Sequence, residues 1–364
     1  MGANQPIVGR RPPRKRETVT NRPNRTKITV FSLGGTISST PTDDQSSGVT
    51  PRLNAHDLVS AIPELDDVAE VTAVTFRQMP SGDLTLSDLM ELAHEIDRSF
   101  ESGADGVVVT QGTDTIDETS FALDVLVRSS RPVVVTGAMR NPSLPGADGP
   151  ANILAAVRVA ASRDAAGSGT LVVFNDEIHA ARFVRKTHSS SPSTFHSPTC
   201  GPLGWIVEDR TRLVFGIAPL ARISPTATDS VVAVALVKCS LGDDARFIDQ
   251  IAALDYAGAV IEGFGGGHVP ARLVPALEAL AKRMPVVLAS RTGSGEVLRT
   301  TYGFAGSERD LLSRGLLSSG ALDGTKARVL LSLVLSGEPD PQLARASFMS
   351  VVESITTSGS ASRE

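Results

Sequence analysis

Short β-branched runs, apolar almost throughout, alternate in the first part of the chain with segments whose apolar residues recur at helical spacing. The runs are ITVFSL (28–33), TAVTF (72–76), GVVVT (106–110), PVVVTG (132–137) and TLVVFN (170–175). A strand that is apolar at every position is covered on both faces, and strand–helix alternation is the mark of βαβ units and a mostly parallel sheet. Between the runs lie helical segments such as LSDLMELAHEIDRSF (86–100) and DETSFALDVLVR (117–128). In the first of these, Leu86, Leu89, Leu92, Ala93 and Ile96 fall on one face. The pattern predicts an α/β architecture with a larger N-terminal, doubly wound, mainly parallel sheet.

The alternation lapses in RTRLVFGIAPLARISPTATDS (210–230), whose later part is rich in Ser, Thr and Pro. It resumes with VVAVALV (231–237), GAVIEGF (258–264) and PVVLAS (285–290), and with helices expected near 270–283 and 325–336. This second part is expected to be a smaller α/β domain with a flavodoxin-like parallel sheet. The expected division is a disordered basic tail at 1–26, an N-terminal domain at 27–221, a linker at 222–230 and a C-terminal domain at 231–364. No fixed period recurs, so a solenoid is excluded.

Composition fits this picture: 364 residues, 41% of them hydrophobic and 21% charged, make a soluble globular chain with room for two cores. The aromatic share of 4% argues against a base-stacking surface. Cys200 and Cys239 have no CxxC spacing, and the six histidines form neither HxH nor HExxH. Both cysteines are expected in the core, and neither a metal nor a cofactor is expected. The net charge of −5 conceals eight Lys or Arg against one acid in residues 1–27, leaving −12 for the rest. Such a short basic arm is expected to be solvated, with no nucleic acid as partner. It has no apolar signal region, and no run is long enough to cross a bilayer, so a cytoplasmic location without membrane contact is expected.

In an open parallel sheet, ligands bind beyond the carboxyl ends of the strands, so the residues just past each strand matter most. After the first comes Gly34-Gly35-Thr36, after the third QGTDT (111–115). Glycines there can take positive φ and bring backbone N–H groups close to a ligand, although an isolated Gly-Gly-Thr is more often an ordinary turn. Asp114 or Thr115 is a good helix cap, but capping leaves the hydroxyl of Thr113 without a task. Two threonine loops on strands expected to be neighbours suggest acyl transfer by a hydroxyl, which needs help in losing its proton. Lys186 is the candidate, the only lysine between residues 28 and 220.

Five blocks carry a resemblance: LGGTIS (33–38), TQGTDTIDETSFALD (110–124), TGAMRNPSLPGADGPANILAAV (136–157), VVFNDEIHAARFVRKTHSSSPSTFHSP (172–198) with GPLGWI (201–206), and TKARVLLSLVLS (325–336). In this order the chain resembles the bacterial-type L-asparaginases, two-threonine amidohydrolases related to glutaminase-asparaginases. The resemblance implies a cofactor-free hydrolysis of asparagine to aspartate and ammonia through an acyl-enzyme. It assigns Thr36 as nucleophile, Thr113 as the second threonine, Asp114 as its acidic neighbour and Lys186 as the lysine behind them. Ser81 in PSGDLT (80–85) is implied to hold the substrate carboxylate, and Gly82, Gly35 and Gly112 complete the expected binding set. A homotetramer of intimate dimers is implied, each site completed by a neighbour's C-terminal domain. Two readings stand beside this one: a glutaminase-asparaginase of broader specificity, and a catalytically weak asparagine or aspartate sensor of the same fold. The chain departs from the family pattern in three places. The loop SSTPTDDQSSGVTPRL (38–53) has no tyrosine, Gly82 stands where many relatives carry a side chain, and His268 in GFGGGHVP (263–270) stands where relatives usually have asparagine.

Overall fold

A computed structural model of the chain describes residues 25–41, 49–224 and 231–356. Most of the expected basic tail, the middle of the loop after Thr36, most of the expected linker and the last residues of the expected C-terminal domain therefore lie outside the described residues. The N-terminal part contains strands β1 (Lys27–Ser32), β2 (Ser39–Pro41), β3 (Val49–Pro51), β4 (Glu70–Thr75), β5 (Gly106–Thr110), β6 (Val133–Thr136), β7 (Thr170–Phe174), β8 (Glu177–Ala180), β9 (Arg185–Lys186), β10 (Phe195–His196), β11 (Gly204–Val207) and β12 (Arg210–Leu213). Its helices are α1 (Ala55–Ser60), α2 (Leu65–Val68), α3 (Leu86–Glu101), α4 (Ile116–Leu126) and α5 (Gly149–Ala160).

Eight of these strands form one sheet in the order β12-β11-β8-β7-β6-β5-β1-β4. The five from β7 to β4 are mutually parallel, and β8, β11 and β12 extend the sheet antiparallel. The valines of β5 to β7 alternate between two cores, as expected for strands with no polar face. Phe31, Val107, Val109 and Val135 pack with α3 and α4, while Val30, Val108, Val134 and Val173 pack with α1, α2 and α5. Helix α3 starts where a capping box dictates, with Thr85 accepting from the Asp88 N–H and Asp88 accepting from Thr85. The turn from β7 to β8 is Asn175-Asp176, both at positive φ, the two-residue hairpin turn that suits these residue types. This dipeptide was the available signal for the antiparallel extension, which the apolar pattern did not reveal.

The C-terminal part is a second sheet, β13 (Val234–Lys238), β14 (Gly258–Gly263), β15 (Val286–Ser290) and β16 (Leu317–Ser318), with helices α6 (Arg246–Ile251), α7 (Val274–Ala281), α8 (Glu308–Ser313), α9 (Gly324–Gly337) and α10 (Pro341–Thr356). Its strands are parallel and lie in chain order. The flavodoxin-like order expected for this small sheet is found instead in the large one. Its parallel strands run second, first, third, fourth, fifth, and so reverse direction between β1 and β5. Helix α7 is shorter than expected because Pro275 sits in its first turn, where a missing N–H starts a helix rather than continuing one. The apolar core runs on from α4 and the large sheet into α9, α10, β14 and β15.

Candidate active site

The strand-order reversal places the carboxyl ends of β1 and β5 side by side, and the loops leaving β1, β4 and β5 meet there. Each loop enters a single 3-10 turn whose first residue carries a hydroxyl: Thr36–Ser38, Ser81–Asp83 and Thr113–Thr115. Glycine is required where they touch. Gly34 and Gly35 have φ of 100° and 84°, and a Cβ on Gly35 would lie 2.0 Å from the Gly112 nitrogen. A Cβ on Gly112 would lie 2.9 Å from Ser81 Oγ. The close approach therefore brings the loops that carry Thr36, Ser81 and Thr113 against one another.

Lys186 reaches this cluster from β9, which pairs with β10 and not with the main sheet. Its Nζ donates to Thr113 Oγ1 at 2.9 Å and to Asp114 Oδ1 at 2.6 Å. Thr113 is buried and Lys186 nearly so, whereas the Asp114 side chain is 79% exposed and free to meet a ligand. Gly82 lies exposed at the rim, and a Cβ there would meet nothing within 4 Å.

Two other residues join the loops. Gln111 Nε2 donates to Gly112 O at 3.2 Å and to Thr115 Oγ1 at 3.3 Å, and Thr115 Oγ1 donates to Ser81 O at 3.1 Å. Thr115 thus serves as a tie between the second and third loops, not as the helix cap its type suggested, and α4 begins with no side-chain cap. Nothing in its spacing distinguished the two roles. A charge cluster lies behind Lys186: Lys326 is buried and the Asp323 side chain nearly so, while Asp117, Glu118 and Arg185 are half-buried. Burial pushes the carboxyl of Asp117 up, against the pull of the Lys326 ammonium. Burial also opposes the charge of Asp323, yet the Lys326 ammonium, the Lys326 N–H and the Thr325 hydroxyl hold its carboxyl down to about 2. The sequence signal for this cluster was Lys326, one of two cations with Arg328 in an otherwise apolar helix. Of the two cysteines expected in the core, Cys239 is buried, but Cys200 is exposed in the turn after Ser197.

Residues 27–216 match the family model described as Asparaginase, N-terminal, and residues 233–348 match the Glutaminase/Asparaginase C-terminal domain. The chain belongs to the asparaginase family. An L-asparaginase of Bacillus licheniformis is 36% identical over 312 residues, 85% of this chain and 95% of that protein. A probable periplasmic L-asparaginase of Haemophilus influenzae is 32% identical over 339 residues, 91% of this chain and 95% of its own. Among solved structures, a probable cytoplasmic L-asparaginase from Campylobacter jejuni superposes with a TM-score of 0.78 at 29% identity, covering 90% of this chain and all of its own. Against the asparaginase pattern, the tyrosine-free loop after Thr36 begins with β2 and β3, joined as a hairpin whose tip lies outside the described residues. The hairpin is anchored at its base, where Arg52 and Leu53 N–H donate to Ser38 O and Ser39 Oγ donates to Gly35 O at 2.8 Å. Among the described residues no helix is long and apolar enough to cross a membrane.

Proposed function

We propose that this chain is an L-asparaginase that releases ammonia from the side-chain amide of asparagine. The observation that carries the reading is the Lys186 ammonium bridging Thr113 Oγ1 and Asp114 Oδ1 beside the Thr36 loop, at the reversal point of the large sheet. Thr36 Oγ attacks the amide carbon while its proton passes toward the departing nitrogen. Backbone N–H groups of the Gly35 and Gly112 loops hold the oxyanion, each donor contributing roughly 3–4 kcal/mol. Ammonia leaves a β-aspartyl ester on Thr36. A water held by Thr113, with Lys186 polarising that hydroxyl, then adds to the ester carbonyl, returning the proton to Thr36 and freeing aspartate. Asp114 pairs with the substrate ammonium, and Ser81 receives its carboxylate.

The open space at Gly82 favours a second reading of the same chemistry, in which glutamine is also hydrolysed. One extra methylene is discriminated by only about 1–3 kcal/mol in a pocket of this kind. A loop without tyrosine favours a third reading, a weakly catalytic sensor; the retained hydroxyl–lysine pair speaks against it, because binding alone does not need a positioned lysine. We also take the domain division to fall at 222–230, the assembly to be a homotetramer of intimate dimers, and the location to be cytoplasmic, as in the Campylobacter jejuni relative.

The test is ammonia release from asparagine and from glutamine. Thr36→Ala is expected to lower kcat by on the order of 10⁴-fold or more, the scale seen when a nucleophile is removed. Full activity in Thr36→Ala would remove it from the nucleophile's role. A wild type that binds aspartate and hydrolyses neither amide would be a sensor.

A further inference from the structure

Strand β9 is two residues long and belongs to neither main sheet, yet it must hold Lys186 to within hydrogen-bonding distance of Thr113. Its own ladder, the pairing with Phe195–His196 continued by Thr187 donating to Thr194 O, joins it only to that neighbouring strand. A group of charged side chains adds ties from outside that ladder. Lys326, at the start of α9 and 1% exposed, donates from Nζ to Val184 O at 2.6 Å and lies 3.3 Å from Asp323 Oδ2. Arg185 Nε is 3.6 Å from that same Asp323 oxygen, and its guanidinium rests on Gly293, where a Cβ would stand 1.8 Å from Nη1. Asp117, in α4, lies within electrostatic reach of both Lys326 and Asp323. The Val184 carbonyl and the Arg185 side chain, on the two residues just before Lys186, are therefore tied to one cluster of charges. Its remaining member is Glu118, which Lys326 and Arg328 both oppose in charge.

We infer that Lys326 is a positioning residue for Lys186, so that the C-terminal domain sets the geometry of the lysine–threonine pair in its own chain. The inference rests on the asparaginase reading. A buried ion pair adds little net stability, because desolvation offsets its attraction, so the cluster is better understood by what it fixes than by how much it stabilises. Lys326 touches no reacting atom; it acts only through β9. A displacement near 1 Å at Lys186 is enough to slow turnover by about a hundredfold.

Lys326→Met is expected to lower kcat about ten- to a hundredfold with KM within about threefold, and Lys326→Arg to recover most of the loss. In a Lys186→Ala background, Lys326→Met is expected to add less than about threefold, since the effect runs through a side chain already gone. A crystal structure of Lys326→Met is expected to show Lys186 Nζ withdrawn from its 2.9 Å contact with Thr113 Oγ1. Losses that multiply in the double variant, or a contact that stays intact, would overturn the inference. If Lys326→Met does not fold, Asp323→Asn replaces it, because Asn caps α9 as well as Asp while removing the charge that holds Lys326 and Arg185. A wild type that hydrolyses no amide sinks the asparaginase reading instead, and the crystallographic distance then judges the role of Lys326 alone.

Discussion

The parallel part of the large sheet and the small C-terminal sheet both send glycine-rich loops from the carboxyl ends of their strands, but only the large one builds a cluster of hydroxyls and a lysine. In the large sheet the order reverses between β1 and β5, so the chains leaving them diverge and open a crevice. The Gly34–Thr36 and Gly112–Thr115 loops fill it so tightly that no side chain fits at Gly35. The small sheet runs in chain order, without a reversal. Its loop Gly263–His268 folds back on itself, Phe264 pairing with His268, and a Cβ on Gly265 would meet nothing within 4 Å. His268 there serves structure: its Nε2 is 3.2 Å from buried Glu308, and its ring stands edge-on to Tyr302 and Phe304. Glycine at a strand end is thus a site signal only where topology forces two loops together.

The sharpest test of that contrast is alanine at one glycine of each loop. Gly35→Ala is expected to cost more than about 3 kcal/mol in urea unfolding and to abolish hydrolysis, because its Cβ collides with backbone and its φ is positive. Gly265→Ala, at φ 47° in open space, is expected to cost about 1 kcal/mol. Equal costs would erase the distinction between the loops.

A second effect is expected in the pH dependence of the N-terminal part. Burial, with His196 nearby, pushes the His179 imidazole down to about 4 from 6.5, and its Nδ1 is 3.0 Å from Ser197 Oγ. Between those values the unfolded chain holds the proton and the native one does not, so stability falls as pH drops from about 6.5 toward about 4. The fall is expected to be about 3 kcal/mol, and flat below that range. His179→Gln is expected to remove the slope. A slope that survives unchanged would place the acid sensitivity elsewhere.

The smallest expected effect is in the small sheet's loop. His268→Ala leaves buried Glu308 with the Thr301 and Tyr302 N–H groups as donors and is expected to cost about 1–2 kcal/mol, read as a lowered thermal midpoint. A turnover loss beyond tenfold with stability intact would instead show that this loop faces substrate in a neighbouring copy.

The sequence alone determined the strands and helices that bury the most apolar surface, because an all-apolar run such as GVVVT (106–110) has no stable place except between two helical layers. It also marked Thr113, whose hydroxyl capping leaves without a task, and Lys186, the single lysine between residues 28 and 220, as candidates, whereas Thr36 was singled out only by the resemblance of its block. Three things were decided only in three dimensions. The strand-order reversal in the large sheet depends on which strands pair, and pairing is a matter of distant contacts, not local pattern. Whether Thr115 caps a helix or ties Ser81 to Gln111 depends on a loop 34 residues away in sequence. The Lys326 cluster draws on α4, β9 and α9, from both halves of the chain, and a buried charge can be tolerated only where folding has already brought its partners together.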